Sequence, residues 1–431
     1  MLLNLKELEE EIVSQYFEDD GNRPWIIGFS GGKDSTMLLQ LVWNSVRQLP
    51  QELRKRELYV VCNNTLVENP KILNYTEEVL EKIEKAAFEQ SMPVFVVKTT
   101  PKLEDSFWVN LIGKGYPAPN NAFRWCTERL KINPTTEFIK NKISEVGEAI
   151  ILLGTRSEES ANRARSMKKH EVDGQRLRKH VLPNAFVYAP IKDVLVTELW
   201  QYLNQVPSPW GANNKMLNAL YRNANSGDCP LVIDDTTPSC GKSRFGCWVC
   251  TVVSKDKSMD ALIQNGEEWM EPMAELRDML VTYRNHPEWR QPTRRDGSDG
   301  PGPYFIHKRA LILETLLMAQ KEVNETEPEI SLINYQELVA IQVTWYRDNH
   351  FNFSVADIYN KVYGTELTDR DFKDHLIFEK EILKESCTEH PEDYQLINEL
   401  LKLQKAKTIM VKAKGLQNDL ENRLDQFVKS Q

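Results

Sequence analysis

The sequence predicts an α/β protein: a parallel sheet flanked by helices, then a cysteine-rich loop region, then a mainly helical C-terminal part. Three observations lead there. Through the first half, short apolar runs alternate with amphipathic helical stretches. Four cysteines fall within 22 residues of a stretch rich in proline and glycine. Beyond Ile306 the helical period continues nearly to the end, with a charged tail from Lys402.

Element by element, the first 25 residues read as one helix with Leu5, Leu8, Ile12, Val13 and Tyr16 on a single stripe. Trp25 to Phe29 is a short buried-strand run. Ser35 to Arg47 is a helix that turns Met37, Leu38, Leu41, Val42 and Val46 inward. Leu58 to Cys62 is a second strand, followed by a helix from about Pro70 to Gln90. Val94 to Val97 is a third strand, and Ala149 to Leu153 a fourth after the helix Thr135 to Val146. Strands alternating with helices require crossovers, which make neighbouring strands parallel. Residues 1–210 are assigned to this domain and 211–255 to a cysteine-rich segment. Residues 256–431 are assigned to a helical region suited to docking DNA or partner proteins. Two punctuated stretches, Pro207 to Gly246 and Pro287 to Pro303, interrupt the helical pattern.

Of the 431 residues, 41% are apolar and 27% charged, the balance of a globular chain able to bury a core without disulfides. Lys and Arg number 54 against 63 Asp and Glu, a net charge of −9. Free-standing nucleic-acid binders carry the opposite sign, so any such contact needs a local basic patch or a partner. No run reaches the ~20 apolar residues of a membrane span. The acidic amphipathic start lacks the pattern of a secretory signal. Seven cysteines, two of them in a C-x-x-C at Cys247 and Cys250, point to metal or redox chemistry in the cytoplasm rather than to a disulfide framework.

Ser30-Gly-Gly-Lys-Asp-Ser35 lies between the first strand and its helix. Gly31 and Gly32 let backbone approach a phosphate, and the helix start offers N–H groups and a positive dipole end. Ser30 and Ser35 add hydroxyls, Lys33 adds charge, and Asp34 suits Mg2+. It is no Walker A loop, which has four residues between its glycines and a Lys-Ser/Thr ending. Cys229, Cys240, Cys247 and Cys250 form C-x10-C-x6-C-x2-C. Four thiolates in one loop suit either tetrahedral zinc or an iron–sulfur cluster. Cys62, at a strand end, reads as core. Cys126 stands between Arg124, Arg129 and Lys131, whose charge is expected to lower its pKa and make it a sulfur-carrying nucleophile.

The Ser30–Ser35 loop after an apolar strand resembles the pyrophosphate loop of the N-type ATP pyrophosphatases. Three further stretches resemble their phosphoadenosine-phosphosulfate (PAPS) reductase-like branch. These are Arg124-Trp-Cys-Thr-Glu-Arg-Leu-Lys-Ile-Asn-Pro134, Gly154-Thr-Arg-Ser-Glu-Glu-Ser-Ala-Asn-Arg163, and Ala189-Pro-Ile-Lys-Asp193 with Glu198-Leu-Trp-Gln-Tyr-Leu203. The resemblance implies an adenine nucleotide α-hydrolase-like fold. It further implies an ATP site of Ser30, Gly31, Gly32, Lys33, Asp34, Ser35, Glu68, Gly154, Arg156 and Arg163, with Arg156 facing the phosphates and Lys33, Asp34, Cys126 and Arg156 catalytic. One departure stands out. The branch commonly carries an Asp after its second strand, where this chain has Asn64, leaving Glu68 as the acid of that loop.

The cysteine spacing, Phe245-Gly-Cys-Trp-Val-Cys-Thr251 and Gly300-Pro-Gly-Pro-Tyr304 are similar to the DNA phosphorothioation sulfurtransferases of the DndC type and the related SspD type, over roughly residues 22–310. That resemblance implies a [4Fe–4S] cluster on Cys229, Cys240, Cys247 and Cys250. It implies ATP cleavage to AMP and pyrophosphate to activate a DNA backbone phosphate, so that sulfur replaces a non-bridging oxygen. A cysteine desulfurase as sulfur donor, other subunits of a phosphorothioation complex, and no membrane complete the expectation.

Two segments could grip DNA. Arg156 to His180 holds eight Lys and Arg against four acids. Arg284 to Arg309 holds six against three, with Tyr283, Trp289, Tyr304 and Phe305 interleaved. A solvated charged face is the other reading of both. Among rival activities, a PAPS or adenosine-phosphosulfate reductase uses a terminal E-C-G-[LI]-H. The nearest stretch here, Glu385-Ser-Cys-Thr-Glu-His390, lacks the glycine, and Trp125 precedes Cys126 where the second type has a cysteine pair. A tRNA thiolase and a non-catalytic nucleotide- and cluster-binding subunit are the remaining alternatives.

Overall fold

The computed structural model describes residues 4–18, 23–159, 175–224, 246–294, 298–348, 350, 352–367 and parts of 382–400. Six strands form one sheet in the order β3-β2-β1-β4-β6-β5. The expected four are β1 (Trp25–Gly28), β2 (Leu58–Asn63), β3 (Val94–Thr99) and β4 (Ala149–Leu152). All pair in parallel, with β1 in the middle, Trp25 opposite Leu58 on one side and Ile150 on the other. Two further strands escaped the sequence reading. β5 (Arg178–Lys179) is two residues long, too short for any period, and runs antiparallel to β6 (Ala185–Tyr188), itself parallel to β4.

The helices begin where local chemistry allows. In α1 (Leu5–Phe17) the Asn4 side chain accepts from the Glu7 N–H, and in α3 (Pro70–Glu89) Asn69 accepts from Lys71 with Pro70 at the first position. α2 (Lys33–Arg47) differs: its N-cap is Gly32, which offers no side-chain cap, so the first backbone donors are left for something else. One face of the sheet packs on α2, α3, α5 (Val196–Gln205) and α6 (Asn214–Ala224), burying Trp25, Leu38, Trp43, Leu80 and Trp200. The other face is covered by α4 (Asn133–Val146) through Ile139 against Ile26, Tyr59 and Ile151.

A second core stands apart from the sheet. It joins the excursion between β3 and α4, which contributes Phe107, Trp108, Ile112 and Trp125, to the later helices α7 (Lys257–Gln264), α8 (Glu271–Tyr283), α9 (Ile306–Thr326), α10 (Tyr335–Arg347) and α11 (Val355–Tyr363). Trp345 on α10 is fully buried and donates its indole N–H to the Ile112 carbonyl at 3.0 Å; Trp108 donates to Leu332 at 2.7 Å. The excursion makes two π-helical turns, Val109–Gly113 and Thr127–Ile132, and the second follows Cys126 directly. Among the described residues no helix is long and apolar enough to cross a membrane.

Candidate nucleotide and thiol site

Parallel pairing puts the loops after β1 and β4 on the same sheet edge, where the chain's path reverses and α/β proteins bind ligands. The loop after β1 closes on itself. The Ser30 N–H donates to Ser35 Oγ at 3.2 Å, and Ser35 Oγ donates to the Gly32 carbonyl at 3.0 Å. Gly31 has φ +69°, a conformation a side chain resists, and a Cβ there would lie 2.6 Å from Thr76 Oγ1. Gly154, after β4, presses against the start of α2. A Cβ at that position would meet the Asp34 carbonyl oxygen at 2.9 Å.

Charge around this loop is paired. Lys33 Nζ lies 2.7 Å from one Asp34 oxygen, and Arg156 Nε donates to the other at 2.6 Å. Burial alone would raise the Asp34 carboxyl, but Lys33 and then Arg156 outweigh it and hold it below the usual carboxylate range. Arg156 is 3% exposed, and its Nη1 donates to Glu158 and to the Val194 carbonyl, both at 3.1 Å. It holds Asp34 in place at the start of α2. Arg163 lies outside the described residues. Thr155 Oγ1, next to Gly154, is buried and has no hydrogen-bond partner among the described residues.

A cavity of about 280 Å³ opens at the ends of β1 and β2, with Ser30, Asn63, Asn64, Glu68, Lys98 and Lys131 in its wall. Asn64, in place of the acid expected there, accepts from the Leu66 N–H at 2.8 Å and closes a tight turn in which Leu66 takes φ +66°. That turn carries Glu68 into the wall of this cavity, and beyond Lys131 lies a second cavity of about 190 Å³, walled by Cys126, Cys247, Cys250, Arg124, Lys131 and Lys257 among others. The two cavities share a wall. The Trp248 N–H donates to Val67 and the Asn69 N–H to Gly246, so the C-x-x-C loop lies antiparallel against the Glu68 loop. The Thr65 hydroxyl donates to Glu68 at 2.8 Å and stands 3.3 Å from the Cys247 sulfur. Lys131 lines both cavities, and Cys247 beside it raises its ammonium pKa against the opposing effect of burial. The π-helical turn after Cys126 sets Lys131 there; the sequence reading took it only as a charge beside Cys126.

Cys126 departs from expectation. Burial pushes its thiol up and Cys250 adds to the rise, outweighing Lys131, while its arginine neighbours turn elsewhere. Arg124 bonds Asn121 at 2.5 Å, and Arg129 bonds Asp105 at 2.5 Å. Burial and Glu68 likewise push Cys247 up to about 12. Cys62 is core, as read, with its thiol up to about 12. Arg277, 1% exposed, clamps the segment after Cys250 by donating to Cys250 and Ser254 carbonyls at 3.0 Å, and Arg284 donates to Thr251. Cys229 and Cys240 lie outside the described residues. Among those described, no group of three or more His, Cys, Asp or Glu could hold a metal ion as placed.

The second basic segment is largely committed internally. Arg309, 2% exposed, donates to the Tyr304 and Gly113 carbonyls at 2.8 and 3.0 Å, and Arg290 to Arg284 and Pro301 at 3.1 and 2.8 Å. Trp289 and Tyr304 are buried, and Tyr283 stacks on Trp289 at 4.5 Å. Lys308 and Arg294 remain nearer solvent, while Arg295 falls outside the described residues. In the first segment, Arg176 bonds Ser14 at 2.9 Å, Arg178 and Lys179 form β5, and residues 160–174 lie outside.

A model of the phosphoadenosine phosphosulfate reductase domain matches residues 24–253. An uncharacterized protein of Methanocaldococcus jannaschii is 25% identical over 228 residues, 53% of this chain; the chain spans 36% of that relative's length. Among solved structures, a PAPS reductase of Candida auris in complex with phosphate is 12% identical with TM-score 0.31, covering 51% of this chain and 94% of its own. An FMN adenylyltransferase of Candida glabrata with FMN and an ATP analogue is 13% identical with TM-score 0.30, covering 52% of this chain and 60% of its own.

Proposed function

The chain belongs to the phosphoadenosine phosphosulfate reductase domain family, and from that premise we propose that it is an ATP-dependent sulfurtransferase whose acceptor is a DNA backbone phosphate. The family carries the coarser half, nucleotide-utilising chemistry of sulfur compounds. The finer half draws support from Lys131, which lines both the strand-end cavity and the one walled by the thiols Cys126, Cys247 and Cys250, with Glu68 in the wall of the first.

In this reading the Ser30–Ser35 loop and the start of α2 bind the phosphates of ATP through backbone N–H groups and Lys33. Asp34 would hold Mg2+: each of its oxygens gives one lone pair to a cationic neighbour and keeps another. Arg156 and Gly154 fix Asp34 at the helix start. Thiolates at Cys247 and Cys250, with Cys229 and Cys240 from the same stretch of sequence, would be soft donors for a [4Fe–4S] cluster, although the described residues alone bring no such ligand set together. Bound there, a cluster would supply inorganic sulfide and redox capacity beside the nucleotide. Burial, which favours the protonated Cys126 thiol, counts against it as a free nucleophile. Lys131 carries positive charge towards both cavities, where an anionic acceptor and the departing pyrophosphate need it.

The test uses anaerobically purified protein, measuring iron, acid-labile sulfide and pyrophosphate released from ATP. A DNA duplex and a cysteine desulfurase are then added, and digested DNA is analysed for phosphorothioate linkages. Iron with sulfide, pyrophosphate release that falls about 100-fold in Lys33→Ala, and phosphorothioate in the digest are the expected results. Zinc without pyrophosphate release would reject the reading. The matched family model favours one rival, a PAPS reductase, whose mark is sulfite released from PAPS and a thiol reductant.

A further inference from the structure

Resting on the nucleotide reading above, we propose that Tyr221, a residue in none of the motifs, is the positioning residue of the phosphate loop. It reaches the loop from α6, and in sequence it is 188 residues from its partner. Its hydroxyl accepts from the Lys33 backbone N–H at 3.2 Å, and its ring lies under the Lys33 ammonium, 5.4 Å from centroid to Nζ. One side chain thus fixes both ends of Lys33: the peptide that opens α2 and the charge that meets a phosphate.

Gly32 gives α2 no side-chain cap: Ser35 Oγ and the Thr36 N–H hold the carbonyl side of the Gly32–Lys33 peptide, and its N–H side is met by Tyr221. Tyr221 supplies the missing cap from a distant helix. Its own position is over-determined: the residue is 8% exposed, and its ring packs edge-on against Trp200 at 5.2 Å. The hydroxyl stays protonated, since burial pushes its pKa up beyond what Lys33 can offset. A loop held before the ligand arrives pays its ordering cost in folding instead of in binding. Tyr221 acts through Lys33 and the loop backbone.

The experiment is calorimetric titration of the full chain with inorganic pyrophosphate, and separately with ATP, for the wild type, Tyr221→Phe and Tyr221→Leu. Tyr221→Phe keeps the ring against Trp200 and loses only the hydroxyl. It should weaken pyrophosphate binding by about three- to tenfold, the size of one hydrogen bond, with an unchanged melting temperature. Tyr221→Leu also loses the cation–π contact and should weaken binding by about threefold more. ATP should follow the same order, and where pyrophosphate is released, KM should rise while kcat stays within about twofold. Pyrophosphate bound equally by wild type and Tyr221→Phe would overturn the inference and leave the nucleotide reading standing. Tighter binding by Tyr221→Phe would also overturn it, since the hydroxyl would then be competing for the phosphate's own donor. A wild type that binds neither pyrophosphate nor ATP rejects the nucleotide reading, and the inference falls with it.

Discussion

The two cavities are built by opposite strategies. The phosphate-loop side is local: Ser30 to Ser35 closes within six residues, and only Gly154 and Arg156 from the neighbouring strand and Tyr221 from α6 complete it. The thiol side is assembled from far apart. Cys126 belongs to an excursion of the sheet domain, Cys247 and Cys250 follow 121 and 124 residues later by their numbering, and Arg277 and Arg284 of and just beyond α8 hold the loop between them. A local site tolerates loss of remote packing, whereas an assembled one depends on it. The second core is the means of assembly, because Trp108, Trp125 and Trp248 are packed in it beside the cysteines.

The largest effect should come from breaking that core. Trp345→Ala removes a fully buried indole and its hydrogen bond to Ile112, and should cost about 3–5 kcal/mol in denaturant unfolding. Two probes sharpen the comparison: labelling of the Cys126, Cys247 and Cys250 thiols, read peptide by peptide, for the second core, and pyrophosphate binding for the loop. If the regions are energetically separate, the variant loses thiol-side packing at a denaturant concentration where pyrophosphate still binds. A single coincident transition would show that the sheet and the second core unfold as one unit, and the contrast between local and assembled sites would lose its thermodynamic meaning.

An intermediate effect is expected at the shared wall. Lys131→Met keeps the aliphatic stem and removes the charge that faces both cavities. In the proposed reaction, pyrophosphate release should stay within about threefold while sulfur transfer falls by tenfold or more, the range of a typical coupling between sites. Equal loss of both activities would mean that Lys131 serves the nucleotide alone.

This contrast also governs how much was legible in the sequence. Four strands and the helices between them were readable because burial on both faces leaves near-continuous apolar runs such as Leu58 to Cys62. The phosphate loop was readable because its chemistry sits in consecutive residues. Neither signal exists for the thiol side. Nothing in the spacing of Thr65 to Asn69 announces that it will lie against Gly246 to Trp248, since that pairing is tertiary. Arg290 and Arg309 read as a basic patch because sequence shows charge and hides partners; both are engaged by backbone carbonyls. The same blindness hid the pairing of Arg156 with Asp34 and passed over Tyr221, the one aromatic of α6.

The smallest effect concerns pH, and it separates the two sites by sign. On the loop side, Asp34 is held below the usual carboxylate value by Lys33 and Arg156. A depressed carboxyl contributes stability that is fully present above its unfolded value of about 3.9 and is lost as pH falls through the lower folded value. On the thiol side, burial raises Cys126 and Cys247. A raised thiol contributes stability that is present below its unfolded value of about 8.5 and is lost as pH rises towards the folded one. Asp34→Asn should therefore lower the melting temperature at neutral pH, and its gap from the wild type should close below about pH 4. Cys247→Ala should instead have its gap close on the alkaline side, measured on metal-free protein under reducing conditions. If the Asp34→Asn gap were constant from pH 3 to 7, the pairing with Lys33 and Arg156 would contribute nothing to the folded state, and the loop would owe its shape to its glycines, its serines and Tyr221.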